Sequence, residues 1–171
     1  NKKNPVTCII GGSKVSTKID VISNLVKNAS NIIIVGAMAN NFLLYEKLEV
    51  GKSLKEENSG DTVGKILEEA EANKCKILIP EDCLVAKSFE GDAVSKDVKS
   101  LEKDDIILDI GPKTIKIIEE AIDNSNTVMW NGPAGYFENK NFALGTNAIA
   151  QKVSENTKNR SLTSVLGGGD T

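Results

Sequence analysis

Two lysines that follow a glycine turn are the residues in this sequence best suited to chemistry. Lys14 and Lys18 come directly after Gly11-Gly12, which end the apolar run Val6–Ile10. Side chains four residues apart lie on the same side of a helix, so both ammonium groups would point toward the edge where that run ends. Arg160 is the only arginine, so a bound anion would meet ammonium and backbone N–H groups. On their own, two solvated surface lysines would be the simpler interpretation.

The composition argues against several other kinds of chemistry. The 171 residues include no histidine, and Cys8, Cys75 and Cys83 form no C-x-x-C pair. Zinc binding and histidine acid–base catalysis are therefore unsupported, and we expect buried, reduced thiols in a cytoplasmic protein. The net charge of −3 predicts no nucleic-acid or membrane partner. No apolar run approaches the roughly 20 residues that cross a bilayer, and we expect no secretory signal.

Short β-branched runs alternate with longer stretches of helical periodicity along the chain. Several runs are apolar on both faces, as strands buried between helical layers are. The strand candidates are Val6–Ile10, Ile32–Val35, Lys76–Ile79, Asp105–Leu108, Thr127–Trp130 and Leu162–Leu166. The alternation predicts an α/β fold, a three-layer sandwich with a mainly parallel, Rossmann-like sheet flanked by helices on both faces. Residues 80–104 are less regular, and we predict only a short strand near 83–85 there.

Glycines cluster directly after the predicted strands. The clusters are Gly11-Gly12, Gly36, Gly111, Gly132 with Gly135, and Gly167–Gly169. The carboxyl ends of parallel strands meet at one edge of an open sheet, where ligands of such folds bind. Glycine lets backbone N–H groups approach a phosphate closely, and each following helix start adds unpaired N–H donors. Glycine is also ordinary turn chemistry, but five such turns at one edge favour a phosphate-binding rim.

Two common phosphate-binding fingerprints are missing or incomplete. No G-x-G-x-x-G follows the first predicted strand, which argues against dinucleotide binding of the Rossmann kind. Gly51-Lys52-Ser53 matches the end of a P-loop, but Glu46 stands where the first glycine of that loop belongs. No predicted strand leads into this segment either, so we interpret it as a chance match.

Six segments together resemble the sequence motifs of phosphoglycerate kinases. They are Gly11–Lys18, Ile34–Asn40, Val50–Leu54, Leu108–Pro112, Trp130–Glu138 and Gly167–Thr171. The fifth segment reads WNGPAGYFE against the family's WNGPxGxFE, and the last reads GGGDT against GGGD(S/T). The segments follow the family's order and spacing along the entire chain, which makes the resemblance specific.

The resemblance implies a two-domain kinase that closes about a hinge. Such an enzyme transfers the acyl phosphate of 1,3-bisphosphoglycerate to Mg²⁺-bound ADP in glycolysis, giving 3-phosphoglycerate and ATP, and it also runs in reverse. Residues 1–171 would be its carboxy-terminal, nucleotide-binding domain, incomplete at its own carboxyl end and without the amino-terminal glycerate-binding domain. We therefore expect an ATP/ADP site here, glycerate substrates only in a full-length enzyme that is a cytoplasmic monomer, and no kinase activity in this chain alone.

The resemblance also implies roles for individual residues. Lys18 would grip the nucleotide phosphates and Lys14 would meet the phosphoryl group in flight, in a reaction that depends on positioning and charge neutralisation. Asp170 would bind the Mg²⁺ that travels with the nucleotide, and Glu138 would hydrogen-bond the ribose. The other implied nucleotide contacts are Gly12, Ser13, Gly36, Ala37, Ile107, Leu108, Asn131, Gly132, Pro133, Gly135, Gly167, Gly168, Gly169 and Thr171.

Simpler alternatives exist for some of these residues. Asp170 could be only a helix N-cap, and Glu138 an exposed carboxylate that leads into a helix. Trp130, in contrast, is assigned to the core rather than to stacking on the adenine. Val35 stands where the family usually has glycine, which would narrow the adenine pocket. Asp104–Ile107 replaces an aromatic-rich lead, so Ile107 would change the packing against the base.

Two other functions fit the same sequence. One is a free-standing mononucleotide-binding module without catalysis, for which this domain alone would suffice. The other is an inert fragment whose unpaired edge strand near Leu162–Leu166 associates with other chains. Turnover and nucleotide binding separate these functions from a kinase.

Overall fold

Strands and helices alternate along the chain, as the sequence predicts. The computed structural model describes residues 4–159 and 162–167. In chain order the elements are β1 (Val6–Ile10), α1 (Val15–Leu25), β2 (Asn31–Ile34), α2 (Met38–Tyr45), α3 (Gly60–Ala72), β3 (Lys76–Leu78), β4 (Asp82–Ala86), β5 (Val94–Asp97), β6 (Ile106–Ile110), α4 (Pro112–Asp123), β7 (Thr127–Asn131), α5 (Leu144–Asn159) and β8 (Thr163–Gly167). Short 3₁₀ helices lie at Val98–Ser100 and Lys140–Phe142. None of the described helices combines the length and the apolar character that crossing a bilayer requires.

Five strands form a parallel sheet in the order β3-β2-β1-β7-β8. β1 lies at its centre, where Cys8 pairs with Ile32 of β2 on one side and with Met129 of β7 on the other. All five residues of β1 are buried, which fits its apolar sequence and its central position. β8 lies at one edge of the sheet, where Val165 and Leu166 are exposed.

Helices cover both faces of this sheet. On one face α1, α2 and α3 pack against Cys8 and Ile10 of β1, and on the other face α4 and α5 pack against Ile9 and Trp130. Successive side chains of a strand point to opposite faces, so β1 contributes to both layers. The three-layer α/β prediction is therefore confirmed, and Trp130 is a core residue with 3% of its surface exposed.

A second, smaller sheet corrects one part of the sequence prediction. β6, which was counted among the strands of the parallel sheet, instead lies in an antiparallel sheet with the order β5-β4-β6. Parallel neighbours need a crossover connection, usually a helix, and between β3 and β6 the chain forms β4, β5 and a short 3₁₀ helix but no α-helix. The Gly111 turn therefore does not belong to the row of turns after the parallel strands. The strand predicted near residues 83–85 is confirmed as β4, whereas β5 was missed because its sequence VSKD is polar and mostly exposed.

A buried carboxylate fixes the outer end of the small sheet. Asp105 accepts hydrogen bonds from Lys87 at 2.8 Å, from Lys96 at 2.8 Å and from the N–H of Glu102 at 2.8 Å. Burial opposes its ionisation, but these donors outweigh burial and lower the pKa of Asp105 to about 2. Asp104 adds a further bond to Lys87 at 2.7 Å. Asp104 and Asp105, where the sequence departs from the family pattern, thus form an ion-pair network with Lys87 and Lys96 that holds β4, β5 and β6 together.

Three turns at the carboxyl edge of the parallel sheet are joined through their backbones. We call them the glycine junction: Gly11-Gly12 after β1, Gly36-Ala37 after β2, and Gly132–Ala134 after β7. The N–H of Gly11 donates to the carbonyl of Asn131 at 2.6 Å, and the N–H of Gly36 donates to the carbonyl of Ala134 at 3.2 Å. α1 and α2 both begin within a few residues of this junction, so it sets where their first turns lie.

Three glycines of the glycine junction, Gly11, Gly36 and Gly132, leave no room for a Cβ. Gly36 and Gly132 have φ values of +73° and +89°, in the left-handed region that favours glycine. A Cβ on Gly36 would lie 2.9 Å from the backbone nitrogen of Gly12 and 3.1 Å from the carbonyl oxygen of Pro133. Both neighbours are backbone atoms of other turns, which cannot rotate away as a side chain can.

We expect Gly36→Ala to destabilise the protein, because it combines a strained backbone with two contacts that are too short. Such effects cost about 1–3 kcal/mol, measurable as a lower midpoint in urea unfolding. Gly60→Ala is the matched control, since a Cβ there meets nothing within 4 Å at the start of α3. The control should keep or slightly raise the stability. Equal unfolding midpoints for Gly36→Ala and the parent chain would contradict this view of the junction.

Candidate functional site

A cavity of about 290 Å³ opens between the edge of the parallel sheet and the small antiparallel sheet. Predicted contact residues from both sides contribute to its lining: Gly12, Ser13, Gly36, Ala37, Ile107, Leu108, Pro133 and Gly135. The lining is mostly apolar, with backbone groups of the glycine junction at one side. A cavity of this kind suits a small ligand with a flat apolar part and a polar part.

Two aromatic residues at this cavity were not predicted from the sequence. The rings of Phe89 and Tyr136 meet edge to face, with centroids 5.4 Å apart and planes at 74°. Phe89 lies in the stretch 80–104, which gave little signal. Tyr136 lies inside the WNGPxGxFE segment, at a position that the motif leaves open, so only its aromatic type could have marked it. Leu54 and Asn40, which also line the cavity, were missed as well.

Lys18 lies at the rim formed by the glycine junction. Its Nζ donates a hydrogen bond to Oδ1 of Asn131 at the end of β7. Its Cε lies 3.4 Å from where a Cβ on Gly12 would stand, so the side chain runs over the first turn of the junction. In the described part of the chain the ammonium group forms no salt bridge to a carboxylate. The group that accepts its hydrogen bond is the neutral side-chain amide of Asn131, which does not neutralise the positive charge.

Asn131 brings a further predicted residue to the same place. It pairs in register with Gly167, the last residue of β8, and a Cβ on Gly167 would lie 2.9 Å from Nδ2 of Asn131. Gly12, Lys18, Asn131 and Gly167 therefore form one cluster at the carboxyl edge of the sheet. Gly132 belongs to the junction itself, where it is buried and its carbonyl accepts from Nε1 of Trp130 at 2.8 Å.

Lys18, Asn131, Gly132 and Gly167 lie beside the cavity rather than in its lining, and Lys14 and Glu138 lie outside the lining as well. Lys14 occupies the N-cap position of α1 in an extended conformation, with its side chain exposed, and its carbonyl accepts from the hydroxyl of Thr17 at 2.9 Å. Glu138 is exposed in the loop after β7, two residues beyond Tyr136. The structure thus brings Lys18, Asn131 and the glycine turns together, and leaves the other two charged residues on flanking, solvent-exposed segments.

The first amides of α1 are not unpaired, contrary to the expectation for helix starts after the glycine turns. The N–H of Ser16 donates to Oε1 of Glu56 at 3.0 Å, and the hydroxyl of Ser16 donates to the other carboxylate oxygen. These bonds, with a further one from the N–H of Val15, lower the pKa of Glu56. An internal carboxylate therefore takes the place at this helix start that a phosphate was expected to take.

The predicted magnesium ligand and the residues beside it lie outside the described residues. These are Gly168, Gly169, Asp170 and Thr171. Within residues 4–159 and 162–167, no group of three or more histidine, cysteine, aspartate or glutamate side chains is arranged to hold a metal ion.

Both departures from the family pattern have a definite place in the structure. Val35 is fully buried in the core between the sheet and α4 and α5, and it is not part of the cavity lining. Val35 therefore does not narrow this cavity, because the strand turns its side chain toward the opposite layer. Ile107 does line the cavity and also packs against the core of the small sheet.

Asp109 is a buried acid in the cavity wall that the sequence did not single out as a titrating group. Its carboxylate accepts from the N–H of Ile110 at 2.9 Å and from the N–H of Gly145 at 3.0 Å, near the start of α5. Burial raises the pKa of Asp109 to about 7, although the bonds from Gly145, Ile110 and Leu144 act in the opposite direction. The charge at this wall therefore changes near neutral pH.

Known proteins that resemble the chain share one description. A family model described as phosphoglycerate kinase matches residues 1–171. A phosphoglycerate kinase of Wolbachia pipientis wMel is 44% identical over 170 residues, and one of Xanthobacter autotrophicus is 44% identical over 169 residues. These matches cover 99% and 98% of this chain, but only 43% of each relative.

Solved structures give the same result. The structure of phosphoglycerate kinase from Coxiella burnetii matches with a TM-score of 0.94 at 34% identity, and that from Pyrococcus horikoshii OT3 with a TM-score of 0.81 at 28% identity. They cover 100% and 99% of this chain, and 43% of each known structure. The chain therefore spans less than half of the length of the relatives that it matches.

The raised pKa of Asp109 predicts a pH dependence of stability. Its folded pKa of about 7 lies above the ordinary value of 3.8, so the folded protein keeps this proton where the unfolded chain has lost it. The contribution is fully favourable below pH 4 and is lost as the pH rises to about 7. Asp109→Asn cannot titrate, so its unfolding free energy should lack this decline, as urea titrations from pH 4 to 8 would measure.

The exposed Asp20, on α1, provides the control for this measurement. Asp20→Asn should leave the decline with pH as it is in the parent chain. If Asp109→Asn shows the same slope as the parent chain and the Asp20 variant, Asp109 does not hold a proton in the folded state and the assignment is wrong.

Proposed function

The chain belongs to the phosphoglycerate kinase family, and from this premise we propose that it is the nucleotide-binding part of such a kinase. The enzyme would transfer the acyl phosphate of 1,3-bisphosphoglycerate to Mg²⁺-bound ADP, and in reverse it would phosphorylate 3-phosphoglycerate with ATP. The observation that carries the proposal is the cavity at the sheet edge together with the neighbouring Lys18, which runs over the cavity-lining Gly12 and bonds to Asn131. Apolar lining and a cationic rim are what a nucleoside and its phosphates require.

In this proposal the adenine base enters the cavity. Ala37 and Leu108 contribute apolar surface from the two sheets, and Ile107 lies beside Leu108 in the wall. The edge-to-face pair of Phe89 and Tyr136 forms an aromatic part of the wall that can contact a flat ring. The exposed Glu138, two residues beyond Tyr136, is the proposed partner of the ribose hydroxyls.

The phosphates would lie along the glycine junction toward Lys18. The turn at Gly12 lets a phosphate approach the backbone, and Lys18 provides a charge that no carboxylate of the described residues neutralises in a salt bridge. Nζ of Lys18 would then donate to a phosphate oxygen, either in place of its bond to Asn131 or in addition to it. Mg²⁺ would arrive with the nucleotide and neutralise phosphate charge, with Asp170 as its proposed protein ligand.

Phosphoryl transfer in this site would need positioning and charge neutralisation rather than a nucleophilic side chain. The bond from phosphorus to the acyl oxygen breaks, the bond from phosphorus to the terminal oxygen of ADP forms, and the carboxylate of 3-phosphoglycerate leaves. Lys14, exposed at the start of α1, is the proposed contact to the phosphoryl group during transfer. The glycerate would be bound by the other part of a longer protein, because this chain corresponds to 43% of its relatives.

A mononucleotide-binding module without catalysis is the second candidate function. It is favoured by one observation, which is that the cavity and the Lys18 rim are built within the described residues of this chain. Both candidates predict nucleotide binding, and only the kinase predicts turnover in a protein that also holds the glycerate site.

Lys18→Ala should weaken the binding of Mg-ADP to the 171-residue chain, measured by calorimetry. An ammonium–phosphate hydrogen bond contributes about 1.5–3 kcal/mol, so we expect at least about a tenfold loss of affinity. Lys27→Ala, at an exposed lysine just beyond the other end of α1, should bind as the parent chain does. Equal affinity of the Lys18 variant and the parent chain would refute the assignment of Lys18 to the phosphates.

The same preparation tests whether the glycerate substrate needs a binding site outside this chain. With ATP and 3-phosphoglycerate, the 171-residue chain alone should form no ADP above the background rate. Turnover of 3-phosphoglycerate by this chain would show that the glycerate site does not require the rest of a longer protein.

A further inference from the structure

A lysine stands at the N-cap of α1, where helices rarely place one. Lys14 makes no capping hydrogen bond through its side chain, and the first turn of α1 contains no acidic residue. Serine, threonine, aspartate and asparagine are preferred at this position because they accept bonds from the first amides. A cation is also unfavourable here, because the start of a helix carries a partial positive charge. Local sequence alone therefore disfavours a helix that begins at this point.

Glu56 provides the cap that Lys14 cannot. Its two carboxylate oxygens accept the N–H and the hydroxyl of Ser16, forty residues away in sequence. The positive charge of Lys14 lies close enough to contribute to the lowered pKa of Glu56. The carboxylate thus compensates both for the missing cap and for the unfavourable charge at the start of α1.

Two buried amides of α2 hold the segment that carries Glu56. Oδ1 of Asn41 accepts from the N–H of Glu56 at 3.1 Å, and its Nδ2 donates to the carbonyl of Glu56 at 2.7 Å and to the hydroxyl of Ser59 at 2.6 Å. Nδ2 of Asn40 donates to the carbonyl of Leu54 at 2.8 Å. Asn40 and Asn41 are 1% and 2% exposed, so this arrangement is firmly buried.

The segment connects the cavity to the start of α1. Asn40 and Leu54 line the cavity, and α2 begins directly after Gly36-Ala37 of the glycine junction. From α2 the hydrogen bonds lead through Asn41 to Glu56 and then to Ser16, which lies between Lys14 and Lys18 on the first turn of α1. The first turn of α1 is therefore tied at Ser16 to Glu56, and through Lys18 to Asn131.

We propose that Glu56 is a positioning residue, which holds the first turn of α1 so that Lys14 and Lys18 face the phosphates of the bound nucleotide. This inference rests on the proposed function, and it adds a residue outside the lysine pair on which phosphate binding depends. Glu56 contacts no ligand itself; it acts through Ser16. We expect the consequence to be specific to the phosphates, since no residue of the first turn of α1 from Lys14 to Lys18 lines the cavity.

The test compares ligands with and without phosphates, measured by calorimetry on the 171-residue chain. Glu56→Ala removes the cap of α1 and releases its first turn, so this variant should bind Mg-ADP about tenfold more weakly. Its affinity for adenosine, which lacks phosphates, should stay within about twofold of the parent chain. Glu56→Gln keeps the shape and one acceptor oxygen, so it should recover part of the lost affinity for Mg-ADP. Glu57→Ala, at the exposed neighbouring carboxylate, should change neither affinity.

The outcomes separate this inference from the proposed function. Unchanged Mg-ADP binding in Glu56→Ala, alongside a loss in Lys18→Ala, would overturn the positioning role and leave the proposed function standing. Equal losses for adenosine and Mg-ADP would also overturn it, because they would indicate general damage to the fold. No Mg-ADP binding by the parent chain would overturn both. If Glu56→Ala does not fold, Glu56→Gln decides: a loss confined to Mg-ADP supports the role, and unchanged binding overturns it.

Discussion

The close approach of three backbone turns at the carboxyl edge of the parallel sheet is the constraint on which the rest of the molecule depends. A Cβ on Gly11 would lie 2.3 Å from the carbonyl oxygen of Pro133, so the ends of β1 and β7 can meet only where side chains are absent. Hydrogen bonds from Gly11 and Gly36 to the third turn then fix the distances. Because α1 and α2 both start from this junction, it sets the position of Lys18 and one wall of the cavity.

The other wall comes from a separate sheet, and this division suits the two parts of the proposed nucleotide ligand, its base and its phosphates. β6 and the loops around it supply apolar and aromatic surface, whereas the junction supplies backbone groups and the ammonium of Lys18. The small sheet is held in place by the buried Asp105 with Lys87 and Lys96. A lysine at the start of α1 breaks the local rules of helix capping, and the structure compensates with a carboxylate from a distant loop. Such a conflict between local preference and structure is expected at functional sites.

Periodicity and turn chemistry were enough to predict the three-layer fold, because the central strands are short, β-branched and buried. The glycine turns gave the edge of the sheet and the approximate place of Lys18. The small sheet was not predictable in the same way, since β5 is a polar strand and the sheet is held by ion pairs to the buried Asp105. Phe89 and Glu56 lie at the site because they contact residues distant in sequence, Tyr136 and Ser16, and a local sequence pattern cannot predict such contacts. Asn40 and Asn41 interrupt an apolar helix, and only the structure shows that they pair with the backbone of 54–59.

The proposed site is tested most directly by a crystal structure of the chain grown with Mg-ADP. The base should lie in the cavity between Ala37 and Leu108, and a phosphate oxygen should lie within hydrogen-bonding distance of Nζ of Lys18. A nucleotide bound elsewhere on the molecule, or one whose phosphates point away from the glycine junction, would contradict the central claim that this rim holds the phosphates.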